Sequence, residues 1–323
     1  MSTNSWICLQ PSNASKDAEE VAISLDNRGL AYGDGFFTTM GVIDGQILWL
    51  DYHHQRLISH AAALQLQLES FSLLMVLKTH AQQLQQGILK PIVTRAEQEV
   101  RGYGYTPNTG GSVCKVWLKS SPMSITTAQS LPLSNGQFIP LQPAASAICL
   151  SSQIACLPPP LAGLKSLNRL DNVLASGELQ AIKVQAIKAK TLADTIKPSI
   201  AEGLLRDMSG QWVEGTMSNV FYQLAQAPVA KSSNRSHTQN NSNYLSAGQW
   251  YTPSMAQSGV AGVMRQVIID TLSTSENPVI IRSLQDEDLP HLSQLFFCNA
   301  LRGVMPMSSL RLLSGEVVSF EAI

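Results

Sequence analysis

Four separated segments of this 323-residue chain supply an amine, a carboxylate, a glycine turn and a guanidinium. In GLKSLNRLDNVLA, Lys165 stands between a strand-like apolar approach and a helix start. Among apolar neighbours its ammonium would be desolvated, which favours the neutral amine that adds to an aldehyde. The competing reading is a solvated lysine ahead of a helix. In WVEGTMSNVF, Glu214 closes a strand and is followed by small residues, so it could pair with a protonated ring nitrogen or be an ordinary hairpin carboxylate. In TPSMAQSGVAGVMRQVIID, a turn at Gly259 and Gly262 leads directly into a helix, whose first N–H groups and positive dipole end suit a phosphate. Arg56, within HHQRL, offers a planar fork to the same kind of anion, although an arginine on an amphipathic helix is often only solvated. Each segment alone is a weak signal. Together they are the set that a phosphorylated aldehyde cofactor requires. The pair His53-His54 lacks a Cys or carboxylate cluster at ligand spacing, so no metal is expected.

These residues need elements to hold them. From Leu50, LDYHHQRLISHAAALQL sets Leu57, Ala61 and Leu64 at helical spacing, and a second amphipathic helix is expected from about Phe71 to Leu84. Two β-rich runs follow, Ile88 to Arg95 and Ser112 to Ser120, around a loop that carries Arg101, Gly102, Tyr103, Gly104 and Tyr105. Residues 1–121 therefore read as a small α/β domain. Residues 122–145, polar and rich in Ser, Pro and Gln, read as an interdomain crossing, and residues 146–323 as a larger domain. In that larger domain a long helix is expected from about Leu170 to Ala193. LLRD and QWVE should form a hairpin around Met208-Ser209-Gly210, with strands at NVFYQL, PVIIRSL and LFFCNA and a helix from Val263 to Leu272. Residues 231–243 (KSSNRSHTQNNSN) carry no large apolar side chain and should form a flexible surface loop.

Apolar residues make up 44% of the chain and charged residues 14%, which indicates a globular protein rather than a disordered or fibrous one. The formal charge of −1 provides no bulk field for nucleic acid or anionic lipid. No apolar stretch approaches the ~18 residues of a membrane span, and the opening Met-Ser-Thr-Asn-Ser-Trp lacks a basic region followed by an apolar one. The expected location is the cytoplasm, with no membrane and no nucleic-acid partner. The five cysteines are scattered, with neither disulfide nor zinc spacing.

Read in order, RGLAYGDGFFTTMGVIDG, the H-x-x-R-L of His53 to Leu57, KSLNRLDNVLA, EGTMSNVF, GVAGVMRQ and FFCNALRGVMP resemble the class IV aminotransferases, the fold-type IV enzymes that use pyridoxal 5'-phosphate (PLP). The resemblance implies an α/β (α+β) protein with a small two-layer domain, a larger pseudo-barrel domain and the cofactor between them. It also implies a homodimer. By the same resemblance Lys165 carries the cofactor, Glu214 holds its ring nitrogen, Arg56 contacts its phosphate, and the turn at Val263 and Met264 donates to that phosphate. Many transaminases of the family have a hydroxyl residue in place of Met264 and a Gly-Thr or similar pair in place of Asn299 and Ala300. Here those phosphate contacts would fall to backbone amides.

The details GDGFFTT, KSLNRL, GVAGVMRQ and CNAL-x-x-VMP are similar to the family's lyase members. They imply cleavage of 4-amino-4-deoxychorismate to 4-aminobenzoate and pyruvate. Lys165 would remove a ring proton, Lys165 or Thr39 would protonate the departing enol, and Arg101 with Tyr103 are the candidates for a substrate carboxylate. The alternative is a branched-chain or D-amino acid transaminase of the same fold, and a third, lesser reading is a ligand-binding protein without turnover.

Overall fold

The computed structural model describes residues 6–9, 23–107, 110–125, 129–132, 138–190, 199–225, 248–272 and 278–320. Its chain divides into two compact units, Met1–Thr126 with Pro158–Arg169, and Thr127–Leu157 with Leu170–Ile323. The expected flexible stretch 231–243 lies outside the described residues.

In the first unit the elements are β1 (Trp6–Leu9), α1 (Arg28–Tyr32), β2 (Gly35–Phe37), β3 (Met40–Ile43), β4 (Gln46–Ile47), α2 (Leu50–Ala63), β5 (Leu66–Gln67), α3 (Ser70–Leu84), β6 (Gly87–Arg95) and β7 (Ser112–Pro122). They build a seven-stranded sheet in the order β1-β7-β6-β3-β4, with β2 paired to β6 and β5 to β7. Every second residue of β6 from Gly87 to Val93 is buried, the period-two pattern of a strand with one covered face. Leu89, Val93, Phe36, Met40 and Leu118 meet Leu57 and Ala61 of α2 and Leu73 and Leu77 of α3 in one core.

The second unit holds β8 (Gln129–Pro132), β9 (Phe138–Leu141), β10 (Ala145–Ile154), α4 (Leu170–Lys190), β11 (Ile200–Asp207), β12 (Trp212–Gly215), β13 (Asn219–Leu224), β14 (Tyr251–Thr252), α5 (Val263–Leu272), β15 (Ile280–Ile281), β16 (Leu292–Asn299), β17 (Gly303–Arg311) and β18 (Val317–Ser319). The path β15-β14-β13-β12-β11-β10-β17-β9-β8 is joined by β16, which pairs with both β13 and β17. Hydrogen bonding therefore closes through β10, β11, β12, β13, β16 and β17, a ring without a free edge and the barrel-like element that the α/β (α+β) reading expects. Ile148, Leu150, Leu205 and Val213 on its strands pack against Ala175 and Leu179 of α4.

Two boundaries differ from the sequence reading. The expected crossing at 122–145 contains β8 and β9, which add to the larger sheet. The segment Pro158–Arg169, expected within the larger domain, belongs to the first unit. The reason is a long-range pairing: Ser166 bridges Phe36 in antiparallel fashion, so the lysine segment lies as a short extra strand along β2.

Candidate active site

Helix α2 buries His53, Arg56, Leu57, His60 and Ala61, a stripe at helical spacing whose apolar members come with one arginine and two histidines. Arg56 is 7% exposed, and its Nη1 donates to Oγ1 of Thr38 at 3.4 Å. Burial pushes its pKa down to about 10. His53 is fully buried, with Nδ1 2.8 Å from the same Thr38 hydroxyl. Among the described residues its Nε2 has no hydrogen-bond partner. Burial first, then the charges of Arg56 and Lys165, holds this imidazole well below the usual histidine range and therefore neutral.

Lys165 is held by its backbone on both sides. Its N–H donates to Nε2 of His60 at 2.9 Å, and its carbonyl accepts from the N–H of Phe37 at 3.0 Å. The N–H of Leu167 donates to the carbonyl of Gly35 at 3.0 Å. Gly35 is required here by close approach, since a Cβ would stand 2.3 Å from the carbonyl oxygen of Val93 on β6. The Lys165 Nζ lies 4.7 Å from the centroid of the Phe37 ring, a cation–π distance. His60 has its pKa lowered to about 3, by burial first and then by Arg56, Lys165 and Arg169. A backbone N–H can only donate, so Nε2 of His60 accepts and the ring proton sits on Nδ1, 3.3 Å from Ser59 Oγ.

The second unit carries the acidic part. Glu214, buried at the end of β12, accepts the Val260 N–H on Oε2 at 2.8 Å and Asn172 Nδ2 on Oε1 at 3.4 Å. Asn219, opposite Glu214 on β13, donates through Nδ2 to the Val260 carbonyl at 2.8 Å. Both residues therefore grip the turn that precedes α5. The turn is closely fitted: Gly259 has φ +75°, and a Cβ on Gly262 would lie 1.9 Å from Oδ1 of Asn219. The side chains of Val263 and Met264 are buried in the core, so what these residues can offer a ligand is their first-turn amides. On β11, buried Glu202 accepts from Thr216 N at 3.1 Å, Thr216 Oγ1 at 2.6 Å and Ser218 Oγ at 2.7 Å, fixing the loop that follows Glu214.

Asn299 uses Oδ1 to accept from Leu301 N at 3.1 Å and Arg302 N at 2.9 Å, closing the β16–β17 hairpin, and Nδ2 to donate to the Met217 carbonyl at 3.4 Å. Ala300 is half-buried in that hairpin. Thr39 is half-buried between β2 and β3, while its neighbour Thr38 makes the bonds to His53 and Arg56. Arg101 and Tyr103 are exposed, the latter by 85%. Their loop is anchored by its backbone, because Arg28 donates to the carbonyls of Gly102 and Tyr103 at 3.4 and 3.2 Å. Within the first unit the structure thus groups Lys165 and Arg56 with Thr38, His53 and His60, of which the sequence reading weighs only His53, and that as a metal ligand. The signal for the histidines was present, since 53, 56 and 60 continue the Leu57–Ala61 face by one turn.

The donor set fits a phosphorylated pyridine aldehyde. The first unit offers an amine on a pinned backbone, a desolvated guanidinium and a buried ring nitrogen; the second, taken by itself, offers a helix N-terminus behind a glycine turn and a buried carboxylate. A closed ring of strands bearing such a carboxylate, in one chain with such an amine, matches the architecture expected of fold-type IV pyridoxal phosphate enzymes. The chain belongs to the class IV aminotransferase family, whose model matches residues 35–310. It is 23% identical to an aminodeoxychorismate lyase of Vibrio harveyi over 293 residues, 89% of this chain and 87% of the relative. Among solved structures it is similar to the 4-amino-4-deoxychorismate lyase of Pseudomonas aeruginosa, with 28% identity, a TM-score of 0.66, and coverage of 94% of this chain and 91% of that one. A hypothetical aminotransferase from Mycobacterium tuberculosis, in its PLP-bound form, shares the fold at 17% identity and a TM-score of 0.58, covering 94% of this chain and 87% of that one. Among the described residues no helix is long and apolar enough to cross a membrane.

Proposed function

We propose that the chain is a PLP-dependent lyase that converts 4-amino-4-deoxychorismate to 4-aminobenzoate and pyruvate, a step of folate biosynthesis, as a cytoplasmic homodimer. The observation that carries this reading is the likeness to the Pseudomonas aeruginosa lyase over 94% of the chain. When bound, PLP supplies an aldehyde for the substrate amine and a ring that accepts the electrons released at the reacting carbon.

This chain's residues do the rest. Arg56 and the amides of Val263 and Met264 hold the phosphate, the first through charge and the second through the helix N-terminus. Asn299 and Ala300 bound the phosphate end with backbone rather than with hydroxyl groups. Glu214, already oriented by Val260 and Asn172, keeps a proton on the ring nitrogen. Lys165 takes the proton from the substrate ring carbon that bears the amine, the adjacent ether C–O bond breaks, and the ring becomes aromatic. Lys165 or the Thr39 hydroxyl then protonates the departing enol to give pyruvate. Arg101 and Tyr103 receive a substrate carboxylate.

The deciding experiment gives purified protein enzymatically made 4-amino-4-deoxychorismate and follows both products. Equal amounts of 4-aminobenzoate and pyruvate, unaffected by added 2-oxoglutarate, are expected. Ping-pong amine transfer between amino and keto acids without 4-aminobenzoate would replace the lyase with the transaminase reading.

A further inference from the structure

We infer that His60 is a positioning residue for Lys165: by accepting the Lys165 backbone N–H on Nε2, it sets where the lysine amine stands, an assignment that rests on Lys165 being the reacting amine proposed above. The Lys165 backbone has two polar groups, and the sheet satisfies one of them. The carbonyl is taken by Phe37 N–H as part of the pairing with β2, whereas the N–H is taken by a side chain delivered from α2 at 2.9 Å.

His60 is built to stay in that role. Its ring is buried and packs edge-on against Phe36 at 5.4 Å, and Phe36 is the residue bridged to Ser166, next to the lysine. Its Nδ1–H lies 3.3 Å from Ser59 Oγ, whose own hydroxyl donates to the Arg56 carbonyl at 3.2 Å. One helical turn of α2 thus carries Arg56 and also orients the acceptor for Lys165, so guanidinium and amine are spaced by a single rigid element.

The test compares His60→Phe, which keeps a ring against Phe36 but removes the acceptor, with His60→Gln, which restores an acceptor at about the Nε2 position. In the holoenzyme the readouts are PLP bound per chain, the fraction of it that borohydride fixes to Lys165 by peptide mapping, and kcat separately from KM. His60→Phe should lower the fixed fraction and kcat by roughly fivefold to tenfold, the scale of one lost buried hydrogen bond, with bound PLP retained. His60→Gln should return both to within about twofold of the parent, as the same hydrogen bond predicts. Should His60→Phe not fold, His60→Met takes its place, with the shape of glutamine and no comparable acceptor. Fixation and kcat equal to the parent's, or losses as large in His60→Gln as in His60→Phe, would overturn the inference while leaving the lyase reading intact. If the parent protein were labelled on a lysine other than Lys165, the assignment of the reacting amine would fail first, and the role of His60 with it.

Discussion

Arg56 stands on α2 between two histidines that its own charge helps to keep neutral. A guanidinium desolvated to this degree gains strongly from a dianionic ligand, and a charge-assisted contact is worth ~1.5 to 3 kcal/mol. Arg56→Ala should therefore weaken PLP retention by roughly tenfold to a hundredfold in a dissociation measurement. Glu214→Gln should leave retention largely in place and depress kcat much further, because an amide stabilises a protonated pyridine poorly. Equal turnover would remove Glu214 from the chemistry. Lys165, Glu214 and Arg56 are the residues the sequence singles out, because each sits in a segment of distinctive residue types. His60 does not stand out because a helix face is read from its apolar members, and Thr38 because a single threonine after a strand carries no pattern; both are tied in by contacts distant in sequence.

Helices and hairpins with strong local signals match the sequence reading closely. The turn Met208-Ser209-Gly210 joins β11 and β12, and α5 runs over Val263–Leu272 as expected. Strands β8 and β9 escaped because they are four-residue pieces in a polar stretch, defined by pairing with each other and with β17. PVIIRSL yields only the two-residue β15. Two glycines test the element scale. Gly303 opens β17 at φ +68°, where a Cβ would stand 1.9 Å from the Pro140 carbonyl oxygen. That neighbour is backbone and has little room to move, so Gly303→Ala should cost about 1–3 kcal/mol in a denaturant titration. Gly262→Ala would press on Asn219 instead and shift the turn before α5. It should lower PLP affinity more than it lowers the melting temperature.

At the scale of the whole molecule, the buried histidines predict how stability responds to acid. His60 has its native pKa lowered to about 3, below the 6.5 of an unfolded histidine, and His53 shifts in the same direction. Between those limits the unfolded chain binds a proton that the native chain refuses. Stability therefore rises with pH across this window and is lost as pH falls from about 6.5, at up to ~1.4 kcal/mol per pH unit for each histidine. The loss between pH 6.5 and 5 precedes protonation of Asp207 and Asp288, whose pKa values are themselves lowered. In a melting series over that range, His60→Gln should give a shallower slope than the parent. An unchanged slope would mean that His60 binds its proton equally well in the native and unfolded states.

The turn at Val260 is held by its N–H and by its carbonyl, from two residues that face each other across neighbouring strands. On the proposed reading, Glu214 meets one end of the cofactor, and α5, three residues beyond Val260, meets the other. The barrel then works as a caliper with one setting: its jaws are fixed before any ligand arrives. Analogues lengthened or shortened between ring and phosphate should be rejected whatever the substrate, while substrate preference can drift through the loops without disturbing the gauge.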